Sequence, residues 1–170
     1  MEFMDVVKGR HSCKKFDCRQ VEEEKLLRIL EAGRLAPTAK NLQEQKIYVI
    51  QSEENLAKLD KLTPCRYGAP TCLLVAFDKN NVFTYPGGKR DSGIGDASIV
   101  ATHMTLAAFN EGVDSCWINL FNPDEVATAF NLPDNEEVLM LLDLGYAHPE
   151  AKMNPKHGQR KPLSETVTYC

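Results

Sequence analysis

The sequence predicts one three-layered domain of mixed class, α+β or α/β, with its sheet flanked by helices. Three observations point there. The composition, 43% hydrophobic and 26% charged, is that of an ordinary globular protein. A chain of 170 residues is the size of one domain, and folding it buries about 70% of its extended surface. Segments of helical period alternate with short apolar or β-branched runs, and the helices outnumber the strands. No internal repeat or low-complexity tract interrupts this order.

Taken in order, Asp5 to Arg10 reads as the end of a short helix, and the polar run Arg10 to Phe16 leaves it extended. Glu22 to Leu35 is the next helix. Leu26, Leu27, Ile29, Leu30 and Leu35 recur near helical spacing, glutamates occupy its first turn where the macrodipole favours them, and Pro37 stops it. Lys46 to Gln51 is rich in β-branched and aromatic residues and predicts a strand, followed by a charged amphipathic helix over Glu53 to Leu62. Thr71 to Phe77 is a second, apolar strand. The breakers Asn80, Asn81, Pro86, Gly87 and Gly88 make the stretch from Asp78 to Asp91 a loop, one that carries Val82, Phe83 and Tyr85.

From Asp96 to Glu111 the sequence is apolar or small nearly all round, which predicts a helix covered on several sides, at a core or an interface, with His103 as a satisfied interface residue. Gly93 and Gly95 read as its entry rather than as a dinucleotide loop, since no strand precedes them. Gly112 ends this helix, Ser115 to Leu120 forms a short strand, and Asn122 caps a helix with Pro123 at its first position. Val138 to Leu144 predicts a buried strand. Beyond Gly145 the chain turns polar and proline-rich.

Several function classes are excluded or disfavoured. The longest apolar stretches fall far short of the roughly 20 residues a membrane-spanning helix needs, and the first ten residues carry no secretory pattern, so a cytoplasmic address is expected. The formal charge of −4 argues against a general nucleic-acid surface. Six cysteines show neither CxxC pairing nor zinc spacing, and the four histidines suggest no metal, so free thiols and no metal centre are expected. Walker, GxGxxG, HExxH and GxSxG signatures are missing.

Two basic clusters lie near opposite ends of the chain: Arg10, Lys14, Lys15 and Arg19, then Lys156, Arg160 and Lys161. Alternate side chains of an extended segment share a face, so Arg10, Ser12 and Lys14 would be presented together, with Phe16 as an anchor. Such a face suits an anion and a heterocycle. It also suits a solvated basic segment, and the heptapeptide alone does not separate the two. Similarly, Thr38, Asn41 and Gln43 in Ala36 to Gln43 are either turn residues or readers of a planar ring edge.

In order along the chain, these segments resemble the nitroreductase family of flavoproteins. The family pattern looks like Arg-x-Ser-x-Arg/Lys-x-Phe, here Arg10 to Phe16, then Ala-Pro-Ser/Thr-x-x-Asn-x-Gln, here Ala36 to Gln43. It continues with an Asp-Ala-rich central helix, here Asp96 to Gly112, and a Ser/Thr-Cys-Trp-Ile strand, here Ser115 to Ile118. A late Leu-Gly-Tyr, here Leu144 to Tyr146, and a basic C-terminal element, here Arg160 to Leu163, complete it. The match covers nearly the whole chain.

The resemblance implies a three-layer α-β-α fold with a central mixed or antiparallel sheet, an intertwined homodimer, and FMN in the dimer interface. It implies that Arg10 and Arg160 hold the FMN phosphate with help from Ser12 and Lys161, and that His11 belongs to the same site. Lys14 and Asn41 would approach the pyrimidine edge of the flavin, and Pro37, Thr38 and Ala39 would contact it from the partner subunit. Trp117, Ile118 and Asn119 would lie beside the ring near N5. Residues 1–170 would form one domain, with 147–170 a C-terminal extension that contributes to the cofactor site.

The implied activity is ping-pong transfer of hydride from NADH or NADPH to nitro compounds, quinones or a related small acceptor. A specialised dehydrogenase or dehalogenase of the same family, and a non-catalytic flavin-binding redox sensor, are the alternatives. Where the family commonly continues Asn-x-Gln with Pro-Trp, Glu44 and Gln45 follow here, which bears on the path into the strand. With no room for a long helical lid, the loop from Asn80 to Asp91, with Phe83 and Tyr85, is expected to cover the substrate side. Lys89 and Arg90 in that loop leave the choice between NADH and NADPH open.

Overall fold

A computed structural model describes residues 1–170. Its centre is a four-stranded sheet in the order β1-β2-β4-β3, formed by β1 (Gln45–Ile50), β2 (Thr71–Asp78), β3 (Asp114–Ile118) and β4 (Glu136–Gly145). Every pairing of these strands is antiparallel, which settles the class as α+β. One parallel bridge, Ser12 with Ser115, lays the Arg10 to Phe16 segment along the outer edge of β3. The segment also pairs with the chain beyond β4, through Asp17 N–H to the Tyr146 carbonyl (2.8 Å) and His148 N–H to the Lys15 carbonyl (3.0 Å).

Helices cover both faces. On one side α2 (Glu23–Arg34) and α4 (Gly93–Asn110) pack against Leu73, Val75, Phe77, Met140, Leu142 and Leu144. On the other, α3 (Glu53–Leu59) and α5 (Pro123–Ala129) cover Ile50, Cys72, Leu74, Ala76, Cys116, Ile118 and Leu141. The alternation of side chains along a strand divides these two sets. The inner strands β2 and β4 are covered on both faces, so they read as continuous apolar runs. Asn122 caps α5 as expected, its side chain accepting from Asp124 N–H. The first helix, α1 (Phe3–Gly9), packs on α4, and a short α6 (Leu163–Thr166) lies near the C-terminus.

Two expectations are corrected. The helix after Ser52 stops at Leu59 rather than Leu62, because Leu62 and Thr63 N–H groups turn back onto Leu59. The long helix begins at Gly93, one turn early. Within one chain Val100, Ala101 and Met104 of this helix are fully buried, while Ile94, Ile99 and His103 are exposed. The early start depends on Gly93, where an added Cβ would stand 2.2 Å from Cε2 of the buried Phe77 ring. Gly93→Ala is therefore expected to lower stability by about 1–3 kcal/mol, measured by chemical denaturation.

Tyr146 of the Leu-Gly-Tyr triplet is a structural tie. Its hydroxyl donates to Glu22 at the start of α2 and accepts from Lys25 Nζ (3.1 Å), while the Arg19 guanidinium lies 3.8 Å from its ring centre. These partners, Tyr146 first and then Arg19, hold the Glu22 carboxyl down at about 2.

Candidate functional site

Arg10 closes the C-terminus of α1, its N–H bonded to the Val6 carbonyl (3.0 Å), and the chain then runs extended along β3. This places Arg10 and Ser12 in a cavity of about 250 Å³ whose other walls are Thr102, Thr105 and Leu106 of α4 with Ser115 and Trp117 of β3. Arg10, Thr102 and Leu106 also line an adjoining space of about 520 Å³ together with Lys8, His157, Gly158 and Arg160. Ser12 and His157 share a third, of about 220 Å³, with His11, Lys14, Asn154 and Lys156. The shared residues make these three spaces one groove, walled by α4 on one side and by the C-terminal segment on the other.

The groove gathers members of both basic clusters. Arg10 and Arg160 stand in one compartment, joined by Lys8, and Lys14 and Lys156 stand in the next. The Arg160 guanidinium is held by the carbonyls of His157 and Gln159, and the His11 and His157 rings meet edge to face at 6.0 Å. Lys14 Nζ lies 5.9 Å from the centre of the Tyr67 ring. Cys13, between Ser12 and Lys14, points away into the core.

Not every expected residue joins them. Trp117 lines the groove, and Asn119 reaches it only by accepting from Trp117 Nε1 (2.9 Å). The Ile118 side chain is buried on the opposite face of the sheet, as strand alternation requires after an inward Trp117. Lys161 is solvent-exposed and paired with Glu165 (3.4 Å), outside the groove.

Pro37, Thr38, Ala39 and Asn41 line none of these spaces within one chain, so Asn41 does not stand beside Lys14 there. Their loop is tied instead to the N-terminal end of α4, through Ala39 N–H to Asp96 Oδ2 (2.9 Å). It is strained: Lys40, Asn41 and Gln43 all have positive φ, of 52°, 57° and 53°. Such conformations cost free energy and cluster at functional sites.

The flap after β2 packs on that same loop rather than over the groove of its own chain. Lys40 Nζ is 4.6 Å from the Phe83 ring centre, Asn81 Nδ2 donates to the Leu42 carbonyl (2.8 Å), and Phe83 meets Tyr85 at 5.4 Å. A bridge between Thr84 and Asp91 closes the flap into a small hairpin.

Sequence reasoning missed the α4 wall. Thr102, Thr105 and Leu106 occur one turn apart, and two hydroxyls at that spacing in an otherwise apolar helix are the available signal. It also missed two buried carboxyls. Glu44, where Pro-Trp was the pattern, is 1% exposed beside Asp96, and burial followed by that neighbour pushes its carboxyl up.

Asp143 is fully buried on β4 between Cys72 of β2 and Cys116 of β3. Neither of its oxygens is hydrogen-bonded, the Cys72 thiol, a weak donor, being the adjacent polar group. Burial raises this carboxyl to about 8. Burial and the carboxyl together push the Cys72 thiol well up and Cys116 to about 12, which leaves both thiols protonated and poor nucleophiles at neutral pH.

Comparison with known proteins agrees with this architecture. A family model described as the nitroreductase family matches residues 7–65 and 61–146. A crystal structure of a nitroreductase family protein from Clostridium difficile 630 superposes with a TM-score of 0.92 at 40% identity, covering 99% of this chain and 98% of that one. An FMN-dependent nitroreductase from Clostridium difficile R20291 does so with a TM-score of 0.80 at 27% identity, over 98% of both chains. Among curated relatives, the Bacillus subtilis protein named "Putative NAD(P)H nitroreductase MhqN" is 27% identical, over 99% of this chain and 98% of its own length. With the family pattern matched across most of its length and the fold shared end to end, this chain belongs to the nitroreductase family of oxidoreductases.

Proposed function

We propose that the groove binds FMN and that the protein is an NAD(P)H-dependent flavin reductase of small acceptors such as nitro compounds or quinones. The observation that carries this reading is the convergence of Arg10 and Arg160, from opposite ends of the chain, on one groove that continues to Lys14 and Trp117. The donor set fits the group. Two guanidiniums with Lys8 match a dianionic phosphate, and the hydroxyls of Ser12, Thr102 and Ser115 offer further hydrogen bonds. Residues 147–170 act as part of the single domain 1–170, supplying His157 and Arg160 to the phosphate compartment.

When bound, FMN supplies the hydride-transfer chemistry at N5, and the protein needs no general base of its own. The chain's residues bind, orient and bias. Arg10 and Arg160 fix the phosphate end, and Trp117, held by Asn119, forms a flat apolar wall farther in. Lys14 would supply a positive charge to stabilise the negative charge that a reduced flavin carries over N1 and its carbonyl neighbour. The strained Pro37 to Gln43 loop and the adjacent flap serve the site of a second copy of the chain in a homodimer, which brings Asn41 to the ring. The related proteins named for FMN and NAD(P)H support the cofactor and donor.

The visible absorption spectrum of the purified protein tests the assignment. A yellow protein with one FMN per subunit, reduced by NADH or NADPH and reoxidised by an acceptor panel, is expected; a colourless protein that takes up no added FMN would refute it. Removing the flap tip from Pro86 to Lys89 is expected to alter acceptor KM while leaving FMN affinity intact. Unchanged acceptor kinetics would remove the flap from the site. Of the six thiols behind the sensor alternative, Cys13, Cys72 and Cys116 are buried and pushed up, whereas Cys18 and Cys170 are exposed; turnover of NADH or NADPH with an acceptor separates the two readings.

A further inference from the structure

Glu44 stands at the junction of two segments, the Pro37 to Gln43 loop and the flap, that lie together away from their own chain's groove. It is 1% exposed, and Asp96, itself 7% exposed, is the neighbouring acid that with burial pushes its carboxyl up. Glu44 Oε1 accepts from the Ser92 hydroxyl (3.1 Å), and Ser92 Oγ accepts from Phe83 N–H (3.1 Å) in the flap. Asp96 Oδ2 accepts from Ala39 N–H (2.9 Å) in the strained loop. Glu44 Oε2 has no donor among the protein's groups.

Two ionised carboxylates cannot share such a site, whereas a proton on Glu44 Oε2 turns the repulsion into a donated hydrogen bond to Asp96. With that proton every link has a donor and an acceptor. The series runs from Phe83 N–H to Ser92 Oγ, from Ser92 O–H to Glu44 Oε1, from Glu44 O–H to Asp96, and from Ala39 N–H to Asp96. No cation faces Glu44 to stabilise its charged form. The groups acting on it from β1, the flap and α4 are its own backbone, Ser92 and Asp96.

We infer that Glu44, carrying its proton, is a positioning residue that locks the Pro37 to Gln43 loop and the 82–92 flap together on the N-terminal end of α4. Ionising it leaves two facing carboxylates, frees Ala39 and Phe83 from their fixed places, and weakens the flavin site those segments serve. The last step rests on the FMN assignment above; the lock itself does not.

Backbone amide NMR of the apo protein across pH tests the lock without cofactor. Ala39 and Phe83 amide resonances are expected to shift together, with one apparent pKa above the ordinary glutamate range. In Glu44→Gln, whose amide donates to Asp96 at every pH, they should stay at their low-pH positions. Amides that do not titrate in the wild type, or that titrate equally in Glu44→Gln, would overturn the lock. Glu44→Ala, lacking any donor, should show displaced Ala39 and Phe83 resonances at all pH values, and native positions there would also overturn it. FMN titration by fluorescence quenching reads the second step. Affinity should fall several-fold with rising pH in the wild type and stay level in Glu44→Gln. Level affinity in the wild type beside titrating amides would overturn the link to the flavin. Absence of FMN binding at every pH would overturn the FMN assignment, with the amide titration still deciding the lock.

Discussion

Arg10→Ala is expected to weaken FMN binding by about 10- to 100-fold, since a charge-assisted hydrogen bond contributes about 1.5–3 kcal/mol and about 1.4 kcal/mol is tenfold. Arg10 borders both the compartment with Arg160 and the one with Trp117, so its loss affects the phosphate end and the passage to the ring. Arg160→Ala should act in the same direction, more weakly, because that side chain is exposed. Lys161→Ala should change little, since Lys161 is paired with Glu165 outside the groove. Fluorescence titration of apo protein with FMN measures all three. An unchanged Kd for Arg10→Ala would count directly against the site, and a Lys161→Ala loss equal to that of Arg160→Ala would mean that the C-terminal segment acts by diffuse charge.

Asp143→Asn should alter the pH dependence of stability more than any other single change. Asp143 is completely buried and its carboxyl is raised by burial from 3.8 to about 8. Between those values the folded protein binds a proton that the unfolded chain releases, so stability falls as pH rises through this window and levels off above about 8. At about 1.4 kcal/mol per unit, the shift corresponds to an effect on the order of 5 kcal/mol. Asparagine has no proton to lose, so the variant should be markedly flatter between pH 5 and pH 8. Urea denaturation at the two values checks this, and equal slopes for wild type and variant would show that Asp143 does not titrate in the folded state.

Why an acid should occupy that place is not legible in Val138 to Leu144, which reads as a buried strand with one polar residue. Only pairing shows that Cys72 and Cys116 flank it, from strands far apart in sequence. The same holds for Glu44. It reads as an ordinary charged residue entering a strand, and its burial follows from Asp96 arriving on the first turn of α4.

Elements with strong local signals were readable. The amphipathic period of α2, the Asn-Pro start of α5 and the apolar runs of β2 and β4 are local consequences of side-chain period and capping, and they appear where expected. The alternation of strands with helices left strand direction open, because direction depends on how each connection folds back. The antiparallel order β1-β2-β4-β3 answers it.

By itself the sequence determined a layered mix of helices and strands, the segments that build it and the two basic clusters with the Arg-x-Ser-x-Lys face, because periodicity, caps and alternation are local. Tertiary structure alone decided that Arg160 returns to Arg10, that Trp117 rather than Ile118 faces the groove, and that the Pro37 to Gln43 loop and the flap lie together, away from their own chain's groove. These are contacts between residues distant in sequence. They are set by strand register, helix packing and the burial of charge, none of which is encoded in any one segment.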